Sequence, residues 1–471
     1  MRHLFPAGLV LALALHGTEG RAADDLTSLR AEIQALRASY EARLQALEAR
    51  LQAAERPAAT PAMTAQAAAP AAPAAPTAPT APAAAPPAGT GVATTANANS
   101  FNPALSLILS GLYTRTARDP ADYRISGFAR PAEAEIGPGT RGLSLSETEL
   151  GFSANIDPWW RGAASIALTP DNEVEVEEAF VQTTSLGNGL SLKAGRFLSN
   201  VGYLNPQHAH VWDFVDAPLA YQAFFGGQLG DDGVQLTWLA PTDTLIELSG
   251  EVGRGRGFPG SDTSSNGAGR ASIALHAGGD IGASHSWRAG VSFIDAKARD
   301  QSLIGLDAND ATIDSVFNGR TRVSVVDAVW KWAPNGNPTR TNFKLQAEWL
   351  RSVRSGTLNH DPTGTNLDGD LRTVQNGAYV QAVYQFMPRW RVGARTEQLD
   401  AGSVQYSAGA GLLGADGFKP RKNSLMVDYS PSEFSRVRLQ LARDQARFGI
   451  TDNQLMLQYQ MSLGAHGAHG Y

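Results

Sequence analysis

The sequence predicts an all-β transmembrane barrel of 16 antiparallel strands, preceded by an α-helical coiled coil and a Pro/Ala-rich linker. Three observations predict it. From residue 101 onward, apolar and polar residues alternate with period two, as strands with two unlike faces require. The connections between these segments switch between tight turns and mostly longer loops. Finally, Trp159, Trp160, Trp238, Trp287, Trp330, Trp332 and Trp390 all lie within a few residues of a tight turn. Amphipathic rings gather at a membrane interface, whereas a soluble sandwich gives Trp no reason to prefer one rim.

Taken from the start, residues 1–22 read as a secretory signal. Arg2 and His3 form a basic start, an apolar run covers Leu4 to Leu15, and Gly20-Arg21-Ala22 offers small residues for cleavage. Residues 24–56 predict a helix. Leu26, Leu29, Ile33, Leu36, Tyr40, Leu44, Leu47 and Leu51 form a narrow stripe with one four-residue stutter, which predicts a periplasmic coiled coil. Residues 57–99 are almost wholly Ala, Pro and Thr, an extended tether. The chain has 471 residues, no Cys and a net charge of −6. Thiolate metal sites and disulfides are thereby excluded, and the mixed charge argues against nucleic acid as a partner.

The barrel, residues 101–471, divides into 16 segments starting near 104, 142, 160, 174, 189, 233, 243, 268, 285, 322, 341, 376, 389, 422, 434 and 454. Tight turns fall at 157–158, 185–189, 240–243, 278–284, 333–338, 387–389 and 430–433. Long connections fall at 116–141, 198–231, 256–267, 298–321, 355–374 and 400–420, while 170–173 and 447–452 are short. In the last segment Leu455, Leu457, Tyr459, Met461 and Leu463 share one face, and Gln458, Gln460 and Ser462 share the other. Such alternation places apolar residues against lipid and polar ones in a watery lumen. Sixteen strands leave an aqueous channel. Tyr471 closes the chain on an aromatic in phase with the apolar face.

"LNPQHAHVWDFVDAP", Leu204 to Pro218, marks the long connection 198–231 as the candidate site. His208, His210, Trp212, Asp213 and Asp216 are the expected constriction residues. Opposite them, Lys331, Lys344, Arg391, Arg395, Arg436, Arg438 and Arg443 are read as an inward basic ladder, so that acid and base set a field across the bottleneck. Glu173, Glu175 and Glu177 share one face of the fourth segment. His208 and His210, at i and i+2 of an extended stretch, form a candidate metal pair with Asp213 nearby; His466 and His469 repeat the pattern near the end. No catalytic motif is present, so an enzyme is not expected, and no cofactor is called for.

The segments "RGLSLSETELGFSANIDP", "LKAGRFLSNVGYLNPQHAHVWDF" and "LQYQMSLGAHGAHGY" resemble the phosphate-selective-porin-like superfamily of trimeric outer-membrane porins, over about residues 101–471. The resemblance implies passive diffusion of small hydrophilic solutes or ions across the outer membrane of a Gram-negative cell. It also implies a homotrimer in outer-membrane lipid, and an inward-folded loop at 198–231. That loop departs from phosphate-selective members, because it contains no Lys or Arg. Similar central and terminal segments occur in barrels labelled zinc-responsive or TonB-dependent receptors, so metal uptake is the alternative. A third reading makes the periplasmic extension a tether to the cell wall.

Overall fold

The structure is a computed structural model. It describes residues 103–464 except 132–133, 135, 147, 171–172, 262–265, 308–310 and 414–416. The expected signal, coiled coil and linker, together with His466, His469 and Tyr471, lie outside the described residues.

One antiparallel sheet closes on itself. Its 16 strands are β1 (Ala104–Thr116), β2 (Gly142–Leu145, continuing as Thr148–Asn155), β3 (Trp160–Leu168), β4 (Val174–Thr183), β5 (Leu190–Leu198), β6 (Gly230–Leu239), β7 (Leu245–Gly253) and β8 (Arg270–Ile281), then β9 (His285–Leu306), β10 (Thr312–Trp332), β11 (Asn342–His360), β12 (Leu367–Met387), β13 (Trp390–Tyr406), β14 (Arg421–Ser432), β15 (Ser435–Gln445) and β16 (Asp452–Gly464). β1 pairs with β2 on one side (Leu107 with Leu150) and with β16 on the other (Leu109 with Met461). Closure leaves no unpaired edge, which a hydrocarbon surround demands of every backbone N–H and C=O.

The predicted alternation holds strand by strand. Leu439, Leu457, Leu425, Leu345, Phe293 and Ile273 point outward and are exposed, while Asp327, Glu348, Arg395, Lys422 and Asp428 point inward and are buried. This is the reverse of a soluble protein, and lipid is the solvent that reconciles it. Outward aromatics form a chain along the tight-turn rim. His285 stacks on Trp330 at 5.6 Å, Trp330 meets Phe343 at 5.7 Å, Phe343 meets Tyr384 at 6.5 Å, and Trp390 meets Tyr429 at 4.6 Å.

Two of the long connections, 298–321 and 355–374, are mostly strand. β9 to β13 contain 22, 21, 19, 21 and 17 residues. A strand of about 10 residues crosses the bilayer. The stretch 298–321, expected as a loop, instead continues the β9–β10 ladder through a bulge after Ala298 to the pair Leu306–Thr312. Beyond the bilayer the outward face meets water, so the outward apolar period fades although the hydrogen-bonded pairing continues, while inward Leu303, Phe317, Leu358 and Leu371 stay buried in a cluster of their own. The pairs Gly356–Leu371 and Thr373–Val404 extend the wall across 355–374 and the start of 400–420 in the same way.

Leu439 and Leu457 are paired neighbours near mid-belt, whereas Leu463 lies at the tight-turn end of β16. Leu439→Arg should therefore lower the folding free energy in lipid vesicles by about 2–4 kcal/mol, and Leu463→Arg by about 0–1 kcal/mol. Guanidinium titration of the vesicle-inserted protein measures both.

Candidate functional site

The connection between β5 and β6, residues 199–229, folds into the barrel. Its base is clasped by the buried Asn205. The Asn205 amide donates to the Ser199 and Leu229 carbonyls at 2.8 and 2.9 Å, and its Oδ1 accepts from the Leu229 N–H at 2.8 Å. Glu251 on β7 fixes the entry, accepting from Ser199 Oγ at 2.6 Å and the Asn200 N–H at 2.7 Å.

Within the loop, helix α1 (Leu219–Phe225) follows Pro218 and ends at Gly226, whose φ of 70° supplies the left-handed cap. All seven helix residues are buried, and the one amide among them, Gln222, donates to the Ala217 carbonyl at 2.7 Å and accepts from the Gly137 N–H at 2.9 Å. It packs on inward apolar residues of the wall, among them Val325, Leu350, Tyr379 and Leu399, and on Tyr123, Ile125 and Phe128 of the β1–β2 connection. The inner face of β9–β13 is thus partly dry, which the expectation of a uniformly polar lumen missed. Signals for it were present: Val323, Val325 and Leu350 occupy the inward phase of their strands.

Glu348 lies at the edge of this core. It accepts from the Leu204 N–H at 2.9 Å, Tyr221 Oη at 2.8 Å and Tyr379 Oη at 2.6 Å. Burial, with Glu348 beside it, pushes the Tyr221 hydroxyl well above its ordinary pKa.

Asp213 and Asp216 meet the basic ladder directly. Asp213 lies 2.5 Å from Lys344 Nζ and 3.4 Å from Arg391, and accepts from Gln381 at 3.1 Å. Asp216 lies 2.6 Å from Arg395 and 2.5 Å from Lys422, and accepts from Gln440 at 2.8 Å. Arg438 donates to the Trp212 carbonyl and Arg436 to the His210 carbonyl, each at 2.6 Å. Asp428 on β14 binds Arg391 at 2.8 Å and lies 3.5 Å from Arg438. Acid and base are therefore in contact, and they do not face each other across a gap. The expected transverse field is replaced by a latch of contacting ions, in which each buried charge is tolerable only because its partner is in place.

Burial pushes the Asp213 carboxyl up, but Lys344 and Arg391 outweigh it and hold it at about 2. Asp216 is likewise buried, and Lys422 and Arg395 hold it well below the carboxylate range.

Of the predicted ladder, Lys344, Arg391, Arg395, Arg436 and Arg438 join this latch, and Lys331 occupies the inward phase beside Lys344. Arg443 does not. On β15 the inward positions are 436, 438, 440 and 442, so Arg443 points outward near the long-loop rim, where interfacial water can solvate a guanidinium. Lys422, Asp428 and Glu397, which the sequence reading did not single out, complete the network.

The histidines face the opposite wall. His208 Nδ1 lies 3.3 Å from Glu149 Oε2 and 3.2 Å from Glu177 Oε2, and His208 Nε2 lies 2.9 Å from Glu178 Oε2. His210 Nδ1 lies 2.9 Å from the same Glu149 oxygen. Two consecutive glutamates reach the lumen because of a β-bulge. Ser165 pairs with Glu178 but Ile166 pairs with Val176, so Glu177 is the extra residue. The simple alternation expected for Glu173, Glu175 and Glu177 is broken there. Burial lowers the pKa of His208, but the three glutamates outweigh it and raise it well above the ordinary value.

No family model matches the chain. An uncharacterized protein of Aquifex aeolicus (strain VF5) is 29% identical over 397 residues, 79% of this chain and 80% of that protein. Among solved structures, the chain is similar to OprB of Pseudomonas putida (14% identity, TM-score 0.46, 77% of this chain and 94% of that one). It is also similar to the outer membrane channel DcaP of Acinetobacter baumannii (12%, 0.45, 77% and 97%) and an anion-selective porin from Comamonas acidovorans (12%, 0.44, 77% and 99%).

Because Asp213 titrates at about 2 and Asp216 is also depressed, the latch is present above the unfolded carboxyl pKa and is lost as pH falls through the folded value. Hydrogen exchange of residues 211–219, corrected for intrinsic rates, should be unchanged from pH 7 to pH 4. Asp216→Ala leaves Arg395 and Lys422 short of a partner, so it should speed that exchange already at pH 7, by an amount equivalent to about 3–5 kcal/mol of lost anchoring.

Proposed function

We propose that the chain is an outer-membrane porin, a non-enzymatic channel for passive diffusion of small hydrophilic solutes or ions, with loop 199–229 as its constriction. One observation carries this reading. The loop is tied to both walls, yet inward groups beside it keep contact with solvent. The side chains of Lys344 and Arg391 are 21% and 25% exposed, and those of His208 and Glu177 are 21% and 26% exposed. A lumen packed solid would leave such groups dry, so a wet path runs past the loop. Charged walls of this kind screen ions by sign and size.

In this reading the tight-turn rim faces the periplasm of a Gram-negative cell, on the side of the N-terminal extension. The leucine stripe of 24–56 joins chains into a homotrimer, and the Pro-rich segment spaces that bundle from the barrels, within reach of the cell wall.

Planar-bilayer recording tests the reading. Purified protein should give ohmic conductance without energy input, closing in three equal steps per inserted unit. Asp213→Asn with Asp216→Asn should raise open-channel noise by freeing the loop. A barrel that inserts but stays silent at all voltages contradicts the channel reading.

A further inference from the structure

Loop 199–229 is tied to one wall by a carboxylate latch. On the other wall stands a different chemistry, and we infer that His208, His210 and Glu149 form a binding site for a divalent transition metal of the zinc class, which clips the loop tip to β2. The inference rests on the position of the loop and is independent of which solute passes it.

Geometry is the first support. Donor atoms of Glu149, His208 and His210 all lie within 4.8 Å of one another. The separations from Glu149 Oε2 to the two Nδ1 atoms are 3.3 and 2.9 Å, and Glu177 Oε2 is 3.2 Å from His208 Nδ1. Zinc bonds of about 2.0–2.1 Å in a tetrahedron place ligand atoms about 3.3 Å apart. The two Glu149–imidazole separations therefore already stand at about the spacing of a tetrahedral edge. Two imidazole nitrogens with carboxylate oxygens are a borderline donor set that favours zinc over calcium or magnesium.

The Glu149 carboxylate is the second support. Its side chain is 9% exposed, and Oε2 sits between the two imidazole Nδ1 atoms, 3.3 Å from His208 and 2.9 Å from His210. A buried carboxylate needs a positive partner, which protonated imidazoles supply without metal and a cation bound among the three groups supplies with it.

Tautomer control is the third. Glu178 Oε2, 2.9 Å from His208 Nε2, holds a proton on that nitrogen, so a metal that displaces the Nδ1 proton of the imidazolium finds the Nδ1 lone pair facing Glu149. A carboxylate behind a ligating histidine is the usual outer partner of a zinc site. The two rings are stacked at 5.5 Å with 30° between their planes.

The metal here is a structural clip and not cargo, because its donors come from both the loop and the wall.

Cobalt(II) tests the site by spectroscopy. Full-length protein in detergent, first stripped with a chelator, is titrated with Co2+ and then with Zn2+. The expected result is one Co2+ per chain with the intense visible bands of a tetrahedral N/O site, displaced by one equivalent of Zn2+. These bands should vanish in His208→Ala/His210→Ala and weaken in Glu149→Gln, which preserves side-chain shape. Glu178→Gln should keep the spectrum with about 10–100-fold weaker affinity. His285→Ala, an outward ring, should change nothing. Heat-modifiable migration on gels verifies that each variant is a folded barrel, and Glu149→Gln decides the matter if the double variant does not fold. Wild type without tetrahedral bands, or with bands that survive both His208→Ala/His210→Ala and Glu149→Gln, overturns the inference. The channel reading would stand in either case.

Discussion

Asp216, held between Arg395 and Lys422, is the contact on which the interior of this barrel depends. All three side chains are nearly or fully removed from water. A buried charge is tolerable only when paired and hydrogen-bonded, and removing one partner leaves the others stranded. The ladder of bases on β11–β15 therefore needs carboxylates from somewhere. Asp428, Glu397 and Asp444 supply part of that demand from the wall itself, and Asp213 and Asp216 supply the rest from the loop. Because loop carboxylates are needed to balance the wall, the loop has one position. Arg436 and Arg438 then fix its backbone by donating to the carbonyls of His210 and Trp212.

The same loop meets three environments along one circumference. Helix α1 and the inner faces of β10–β13 make a dry patch that anchors by burial. Next to it the ion network anchors by charge. Across the lumen, His208 and His210 meet glutamates on β2 and β4. Outside, the wall is uniform by comparison, an apolar belt with an aromatic rim, because lipid asks the same thing of every strand. A lumen allows local variety that a bilayer does not, and the functional detail accordingly sits on the inward phase.

What could be read in the sequence follows from that asymmetry. Strand number, order and facing were legible, since period two imposed by lipid shows in the residues themselves, as in Leu455 to Leu463. The loop was legible as a site from its density of His, Trp and Asp. Four things were not. The extensions of β9–β13 lack an outward apolar face, so the lipid-imposed period that marks the other strands is missing there. The bulge at Glu177 is a register event between two strands and leaves no local mark in either. Arg443 was grouped with the ladder by charge, although its parity with Leu439 and Leu441 placed it outward. Contact between acid and base, in place of a gap, depends on how far the loop reaches, which composition does not encode.

Solid-state NMR on the lipid-embedded protein tests the latch most directly, through 13C–15N recoupling between aspartate Cγ and lysine Nζ. The structure predicts strong dephasing from two short pairs, Asp213 with Lys344 and Asp216 with Lys422, whose Oδ2 to Nζ separations are both 2.5 Å, and its fall in Asp213→Asn/Lys344→Met/Asp216→Asn/Lys422→Met to the remainder left by the exposed Asp400–Lys419 pair at 3.2 Å. Dephasing in the wild type that matches this quadruple variant would mean that the loop does not reach the wall, and the account of the lumen would fail with it.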